Sequence, residues 1–276
     1  MPPLADADTA SDTAADHNRR GMACHRAGRP ADAVDAYTAA LGVDPGFAAA
    51  LANRAAARAQ LGETAEAFAD YSAALRLQPD SPDALNNRGV LRRGLGDLSG
   101  ALADFARVLD LDPDHADARA NRAVVFHLRW DHAAAADDLT RALAAPAGRF
   151  GVAARRHLLT VFRGDAYYHL GRTADALADY RAAFAARPAD FTRLICRTVV
   201  RTVRDHGADA MLADCDRHLA RNPKDFLTHT RLGVIFLSEG RAAEAEAARA
   251  ACYLLGDPRD EAMGLAILAR ARGDAP

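Results

Sequence analysis

Apolar and small residues recur along the chain with the spacing of helices rather than that of strands. Tyr37 and Ala40, for example, follow Ala33 at intervals of four and three residues, which places all three on one face of a helix. Strict two-residue alternation, the pattern of a half-buried strand, is almost absent. Its nearest example, residues 195–203, also fits a helix. The pattern predicts an all-α chain.

The helical segments repeat with a fixed period. Pro45, Pro79 and Pro113 are each 34 residues apart, and a glycine separates two apolar segments in each of the first three periods. A period of this length is typical of stacked helical repeats. In the fourth period Trp130 takes the place of the glycine, so we expect an atypical turn there. The period divides this part of the chain into units 14–47, 48–81, 82–115 and 116–149.

Within each unit the two segments carry matching small residues. Because small side chains let two backbones approach, these positions predict an antiparallel helix pair, and a larger side chain four residues after the second small one fills the seam. The first small residues are Gly21, Ala55, Gly89 and Ala123, the second are Ala33, Ala67, Ala101 and Ala135, and the larger side chains are Tyr37, Tyr71, Phe105 and Leu139.

The period is less regular after residue 149. Residues 150–156 are extra, and we expect them to lengthen the first helix of the next unit. Residues 1–13, rich in alanine and aspartate, are expected to form a disordered acidic tail. The later segments are predicted to be a unit at 157–190, a degenerate unit at 191–223, a unit at 226–258, and a capping helix with a short tail at 259–276.

The spacing of these residues resembles that of the tetratricopeptide repeat, in its bacterial multi-repeat type. GMACHRAGRPADAVDAYTAALGVDP in the first unit and NRGVLRRGLGDLSGALADFARVLDLDP in the third carry most of the family's pattern. The resemblance implies a right-handed superhelical solenoid of about seven antiparallel helix pairs, closed by the C-terminal capping helix. It also implies a scaffold or adaptor that holds a protein or peptide in a concave groove lined by the first helix of each pair.

Carried over to this chain, the family's groove positions give a candidate peptide-binding surface. Asn53, Asn87 and Asn121 occupy the same groove position in three successive units. Since a carboxamide both donates and accepts hydrogen bonds, such a row can hold the backbone of an extended peptide; alternatively, the amides bond only to neighbouring helices. The candidate surface comprises Asn18, Arg19, Met22, Asn53, Asn86, Asn87, Val90, Arg93, Asn121, Val124, His127, Phe162 and Tyr168.

A second set of repeated polar residues has a structural interpretation. An arginine recurs at the position after the groove residue, and an aspartate stands sixteen residues later in the same unit. Guanidinium and carboxylate groups match in two parallel hydrogen bonds, and neither tolerates burial alone. We therefore predict ion pairs that hold the repeats together, formed by Arg54 and Asp70, Arg88 and Asp104, Arg122 and Asp138, and Arg163 and Asp179.

Composition narrows the range of functions. With 35 basic and 37 acidic residues and no basic cluster, the chain has no electrostatic footprint for nucleic acid. No run of eighteen apolar residues or secretion signal occurs, so we expect a cytoplasmic protein that does not enter a membrane. The four cysteines are dispersed, and no histidines show metal-ligand spacing. The sequence predicts no cofactor, no metal and no catalytic residue.

Two alternatives to a peptide-binding scaffold stay open at this point. One is an enzyme, or an enzyme component, with a pocket in the irregular region 150–223, where Asp165, Tyr168, His169 or His206 would have to converge. The other is self-association through the apolar side of the terminal helix, between residues 263 and 267.

Overall fold

The described part of the chain is helical throughout its regular structure. The structure, a computed structural model, describes residues 12–145, 152–189, 207–221, 226–253 and 258–272, together with residues 195, 199, 203 and 204, and no strand occurs among them. The prediction of an all-α chain is confirmed. The helices with described bounds are α1 (Ala14–Arg26), α2 (Pro30–Val43), α3 (Ala48–Leu61), α4 (Thr64–Leu77), α5 (Pro82–Gly94), α6 (Leu98–Leu111), α7 (Ala116–Leu128), α8 (His132–Ala144), α9 (Val152–His169), α10 (Thr173–Ala186), α11 (Ala208–Arg221), α12 (Phe226–Ser238), α13 (Ala242–Tyr253) and α14 (Pro258–Arg272).

Some sequence predictions fall on residues that the structure leaves undescribed. The acidic tail lies outside the described residues up to residue 11, and so does most of the first half of the degenerate unit 191–223. The described helices form two compact units, residues 1–125 and residues 126–276. We call these the N-terminal unit and the C-terminal unit.

Local sequence sets where several helices begin. The Thr13 hydroxyl accepts a hydrogen bond from the Asp16 N–H while the Asp16 carboxylate accepts one from the Thr13 N–H, which is a capping box. Ser81 caps α5, and Pro82 is the first residue of that helix, where its missing N–H costs nothing. These caps give partners to backbone N–H groups that the first turn leaves without one.

In the N-terminal unit, consecutive helices pack as pairs: α1 with α2, α3 with α4, and α5 with α6. The predicted seam is confirmed, since Tyr37 and Phe105 are at most 1% exposed. Each ring lies directly against the small residue of the partner helix: a methyl group at Gly21 would meet the Tyr37 ring, and one at Gly89 would come within 2.7 Å of Phe105. The glycines thus set how closely the paired helices approach.

The turns between paired helices share one backbone conformation, including the turn predicted to be atypical. Gly62 closes α3 at φ +81°, and Trp130 adopts φ +63° in the fourth turn. The Trp130 and Asp131 N–H groups donate to the carbonyls of His127 and Phe126, the same pattern that Gly62 and Glu63 make. The fourth turn is thus atypical in its residue and not in its backbone, because Trp130 is the one residue other than glycine with a positive φ in the described part of the chain. Trp130 accepts a left-handed conformation that costs a side-chain-bearing residue roughly 1–2 kcal/mol.

The C-terminal unit has one long helix and an unexpected long-range contact. At 18 residues α9 exceeds the 13 or 14 residues of the helices before it, which confirms the predicted lengthening. Its Tyr168 hydroxyl lies 2.9 Å from the Thr228 hydroxyl on α12. In a regular array each repeat contacts only its neighbours, yet α9 and α12 belong to units separated by the degenerate one.

The terminal helix α14 packs back onto its own unit. Met263, Ile267 and Leu268 are at most 2% exposed, and α14 contacts α10, α12 and α13. A methyl group at Gly233 on α12 would come within 2.5 Å of the Leu268 side chain. The apolar side considered for self-association is therefore already buried within the C-terminal unit.

Candidate functional site

The asparagines of the N-terminal unit form pairs between first helices rather than one uniform row. The Asn53 amide donates to the Asn18 carbonyl oxygen across 3.1 Å, joining α3 to α1. Asn121 likewise donates to Asn86 across 3.0 Å, joining α7 to α5. Both pairs span 35 residues, one more than the repeat. Asn18 is 8% exposed and Asn121 is 3% exposed, so little of either amide is open to a ligand.

Asn87 differs from the other two asparagines of the predicted row because its side chain is exposed. Residue 52, which the 35-residue offset would make its partner, is alanine. Its carboxamide oxygen accepts a hydrogen bond from the neighbouring Asn86 across 3.3 Å. The Asn87 amide also hydrogen-bonds the hydroxyl of Tyr71; burial raises the pKa of Tyr71 to about 12, and the hydrogen bond from Asn87 acts in the opposite direction.

Other predicted groove residues of this unit are open to different degrees. Met22 is 43% exposed on α1, one turn after Asn18. Arg19 is also exposed, and it pairs with Asp16 of its own helix. Val90 and Val124 are half-buried, as is Arg93. The exposed part of this surface is therefore made by Met22, Arg19 and Asn87.

The predicted arginine–aspartate pairs are confirmed in three units. Arg54 donates two hydrogen bonds of 2.8 Å to the Asp70 carboxylate, Arg88 binds Asp104 in the same way, and Arg163 binds Asp179. In the second and third units another arginine, four residues further on, reaches the same carboxylate: Arg58 binds Asp70 and Arg92 binds Asp104. Each of the three aspartates is at most 6% exposed. These ion pairs join the two helices of each unit and stabilise the fold.

The C-terminal unit gathers four histidines and three other rings into one cluster. The His132 and His169 rings stack with centroids 4.3 Å apart and planes 14° apart. His127 meets His132 edge-on and lies 5.5 Å from Phe162. Trp130 contacts both rings of the stacked pair at 5.2–5.3 Å. We call His127, His132, His169 and His218 the histidine cluster.

Tyr168 lies at the centre of this region and is 1% exposed. Its ring stacks on His218 of α11, with centroids 4.4 Å apart and planes 9° apart. The guanidinium carbon of Arg231, on α12, lies 4.0 Å from the centre of the Tyr168 ring. Tyr168 therefore cannot contact a peptide in this conformation, because helices of its own chain cover it.

A buried ion pair lies beside the cluster. Arg231 donates hydrogen bonds to the Asp165 carboxylate and to the Tyr180 hydroxyl, and Tyr180 donates to the same carboxylate oxygen. Asp165 is 1% exposed, and its second oxygen has no hydrogen-bond partner. Burial, with the Asp165 charge, holds the pKa of Tyr180 well above its usual range. The network ties α9, α10 and α12 together.

Burial also keeps the central imidazoles neutral. It lowers the pKa of His132 to about 4, with the neighbouring His127 adding to the effect. It lowers the pKa of His169 well below the usual value, and the Arg231 charge acts in the same direction. Both ring nitrogens of His132 are buried without a hydrogen-bond partner. Neutral rings of this kind stack face to face without charge repulsion.

The positions of these residues bear on the hypothesis that region 150–223 contains an enzyme pocket. Asp165, Tyr168 and His169 do meet, but in contacts of a packed interior; His206 and Cys196 lie outside the described residues. Burial raises the pKa of the Cys215 thiol to about 12, which disfavours the reactive thiolate. Among the described side chains, no group of histidine, cysteine and acidic residues has the geometry to hold a metal ion. None of the helices described is long and apolar enough to cross a bilayer.

Sequence reasoning missed Arg231, His132 and His218 as members of this site. Arg231 carried a usable signal, because it is the only basic residue other than a histidine in the otherwise apolar stretch FLTHTRLGVIFLS of α12. A lone charge in an apolar helix indicates a buried partner. No spacing rule predicts the histidine contacts, since their rings come from different helices.

The comparisons with known proteins agree with the repeat pattern. Three family models, each described as tetratricopeptide repeat, match residues 19–82, 54–126 and 161–190, which together make up half of the chain. No curated protein sequence matches the chain.

Solved structures show the same fold at low sequence identity. A crystal structure of the MamA protein is 17% identical with a TM-score of 0.53, and the match covers 62% of this chain and 90% of that one. A tetratricopeptide repeat protein from Parabacteroides merdae is 20% identical with a TM-score of 0.51, over 94% of this chain and 84% of that one. A chain of the APC/C hetero-tetramer Cut9-Hcn1 is 17% identical with a TM-score of 0.57, over 96% of this chain but only 43% of its own. The repeat period, the helix pairs and these matches agree, and the chain belongs to the tetratricopeptide repeat family.

Proposed function

We propose that the chain is a protein-binding scaffold whose N-terminal unit holds an extended peptide against its first helices. The observation that carries this proposal is the exposed carboxamide of Asn87, which lies between two inter-helix amide pairs. The pairs join first helix to first helix, α1 to α3 and α5 to α7, and each bond fixes the side chains around it. A rigid surface of this kind loses little conformational entropy when a ligand binds.

The chemistry of Asn87 suits a peptide backbone. A carboxamide offers one acceptor and two donors, so it can pair with both the C=O and the N–H of an extended segment. Its oxygen already accepts from Asn86 and its amide already bonds the Tyr71 hydroxyl, so one oxygen lone pair and one N–H are left for a peptide backbone. Such contacts hold a backbone without reading its sequence, as in strand-like peptide recognition.

Specificity would come from other exposed side chains of the first helices. Met22 offers a flexible apolar surface, and methionine adapts to ligands of different shape. Asp83, exposed at the start of α5, and the exposed Arg19 on α1 carry opposite charges. A peptide that combines apolar and basic residues fits this surface better than an acidic one, because Arg19 is already paired with Asp16.

A peptide selection tests the proposal. Random peptides displayed on phage are selected on the full chain, and a fluorescein-labelled copy of the strongest binder is titrated with wild type and with Asn87→Ala. Loss of one or two hydrogen bonds to an exposed amide predicts an affinity about tenfold weaker. The free energy of unfolding should stay within about 0.5 kcal/mol of wild type, as is usual for surface substitutions.

The matched control is Asn53→Ala, which removes an inter-helix bond instead of an exposed amide. It should lower the free energy of unfolding by about 1 kcal/mol and weaken the peptide less than Asn87→Ala does. Equal affinity of wild type and Asn87→Ala would remove Asn87 from the site. A chain that selects no peptide at all would remove the proposal.

The finer sequence predictions about cellular context stay predictions. They are a cytoplasmic location, a partner that is protein rather than nucleic acid, and the absence of catalysis. Self-association through α14 is not part of the proposal, because Met263 and Ile267 lie inside the C-terminal unit.

A further inference from the structure

The histidine cluster and Arg231 bring together side chains of five helices, including His127 of α7. His132 begins α8, His169 ends α9, and His218 lies on α11, while Arg231 reaches in from α12. The stacked pair of His132 and His169 is a direct ring contact between α8 and α9. The contacts of Tyr168 with His218 and Arg231 bring α11 and α12 onto α9. One set of stacked rings therefore joins helices that are distant in sequence.

These rings cover the side of α9 that the repeat pattern assigns to ligand binding. Phe162 is half-buried and Tyr168 is 1% exposed, although both occupy groove positions. The covering residues are His218 and Cys215 of α11 and Thr228 of α12. The segments that occupy this face of α9 thus belong to the same chain.

The charged groups that face the stacked pair act in both directions on a positive imidazole. Arg231 is permanently charged, and it faces both His132 and His169. Asp165 attracts a proton to His132, but Arg231 already binds that carboxylate. The groups that face the pair are His127 of α7, Asp131 before α8, Asp165 of α9, Asp214 and His218 of α11, and Arg231 of α12.

Among the described residues, Asp214 is the one carboxylate close enough to stabilise a protonated His169. Its oxygen lies 3.9 Å from His169 and 4.0 Å from His218, beyond hydrogen-bond distance from both rings. It already accepts a 2.9 Å hydrogen bond from Arg217. A single, partly neutralised carboxylate shared by two imidazoles does not offset the nearby guanidinium and the second ring of the stack.

We propose that the histidine cluster is an acid-sensitive latch, which keeps α11 and α12 on the face of α9 at neutral pH and releases them when the imidazoles are protonated. In the closed state the rings of His132 and His169 are neutral and stacked, and Tyr168 is held between His218 and Arg231. Two imidazolium rings 4.3 Å apart repel one another, and both repel the buried guanidinium of Arg231 on α12. Separation of α11 and α12 from α9 exposes Phe162 and Tyr168. A solvent-exposed histidine gains its charge between pH 5 and 8, so opening that returns His132 and His169 to water takes up protons in that range.

The chain contains its own optical reporter of this event. Trp130 is the only tryptophan, and its ring lies 5.2 Å from His169 and 5.3 Å from His132. A protonated imidazole quenches the fluorescence of an adjacent indole by accepting an electron from the excited state. Acidification should therefore lower Trp130 emission with a midpoint below about pH 6.5, the usual value for an exposed histidine.

The experiment combines this fluorescence titration with amide hydrogen exchange of the full chain between pH 7 and pH 5. After correction for the intrinsic exchange rate, protection in α11 and α12 should fall about tenfold. Protection in α1 to α6 should change much less. In the variant His132→Phe/His169→Phe, which keeps two rings that cannot be charged, the loss of protection should disappear.

The matched control is His25→Gln, since His25 lies on α1 in the N-terminal unit, and it should behave like wild type. If the double variant does not fold, His132→Gln alone should lower the fluorescence midpoint and reduce the loss of protection. The proposal is overturned if α11 and α12 keep their protection at pH 5. It is equally overturned if the uncharged variant loses protection as wild type does. None of these readouts needs a ligand, so they are independent of the peptide-binding proposal.

Discussion

At the residue scale, the repeat positions divide into those that set helix packing and those that stay open. Gly89 packs against the Phe105 ring, and Asp104 forms ion pairs with two arginines. Asn53 donates a hydrogen bond to a second asparagine, Asn18. Asn87 has the same sequence position as Asn53 in its unit, yet it is exposed. Asn53 and Asn121 each bond an asparagine 35 residues earlier, Asn18 and Asn86. The residue 35 positions before Asn87 is Ala52, which has no amide to bond.

Two glycines of the same helix should respond oppositely to alanine. At Gly89 the added methyl group meets the Phe105 ring at 2.7 Å, whereas at Gly94 no atom lies within 4 Å. Both variants gain helix propensity, but only Gly89→Ala must displace a packed ring, so we expect it to be about 1–3 kcal/mol less stable than Gly94→Ala. Urea unfolding measures the difference; equal stability of the two variants would contradict the packing assigned to Gly89.

Replacement of a buried aspartate should lower the free energy of unfolding more than replacement of an exposed one. Asp104 is 3% exposed and binds Arg88 and Arg92, while Asp80 binds Arg107 at the surface, with more than 45% of both side chains exposed. Asp104→Asn leaves two partly buried guanidinium groups without their counter-charge and should cost about 2–3 kcal/mol of unfolding free energy. Asp80→Asn should cost less than about 1 kcal/mol. Thermal unfolding that ranks Asp80→Asn as the more damaging change would contradict the assignment.

At the scale of helices, the N-terminal unit follows the repeat and the C-terminal unit departs from it. In the first, α1 to α6 pack in consecutive pairs. In the second, α9 is longer, and its side chains reach α12 across an intervening unit. The terminal helix α14 then packs on α10 and α12. The irregular part of the sequence thus forms a more enclosed core, which contains Asp165 and Arg231.

The role of α14 can be tested by truncating one of its buried side chains. Leu268 is 2% exposed against α12, while Leu170, in the turn after α9, is 43% exposed. Leu268→Ala should lower the free energy of unfolding by about 3 kcal/mol, and Leu170→Ala should change it by less than about 0.5 kcal/mol. Unfolding is followed by Trp130 fluorescence, which reports on the same unit. A lower molar mass by light scattering without loss of stability would instead assign Leu268 to a contact between copies.

At the scale of the whole molecule, burial of neutral histidines ties stability to pH. The folded state holds the pKa of His132 at about 4 and that of His169 well below its usual value. The unfolded chain takes up these protons near about pH 6.5. Between those values the unfolded state binds more protons than the folded state, so stability falls as the pH is lowered and is complete only above about pH 6.5.

For His132, lowering the pH from 7 to 5 should cost roughly 1–2 kcal/mol of unfolding free energy, since half-burial leaves part of the new charge to solvent. His132→Gln, which cannot be protonated, should lose correspondingly less stability over the same range. Urea unfolding at both pH values, followed by Trp130 fluorescence, gives the comparison. A wild type that is equally stable at pH 7 and pH 5 would contradict the neutral, buried state of the cluster.

The sequence by itself determined the repeat architecture of the N-terminal unit. A period of 34 residues, small residues at paired positions and a sixteen-residue spacing of arginine and aspartate are local rules, repeated from copy to copy. A position assigned in one repeat therefore predicts the role of the equivalent position in the other repeats. Such local rules are enough to predict the helix pairs, the ring beside Gly89 and the ion pair of Arg88 with Asp104.

The tertiary structure decided which of the predicted binding residues are open and how the irregular half is arranged. Two of the three row asparagines, Asn53 and Asn121, bond to other asparagines across 35 residues, and Tyr168 is covered by α11 and α12. The conformation of Trp130 was also decided by the tertiary structure, because the fourth turn keeps the left-handed conformation of the turn glycines despite a bulky side chain. These outcomes depend on side chains from helices that share no local pattern. Only the folded chain brings His132, His169 and Arg231 together.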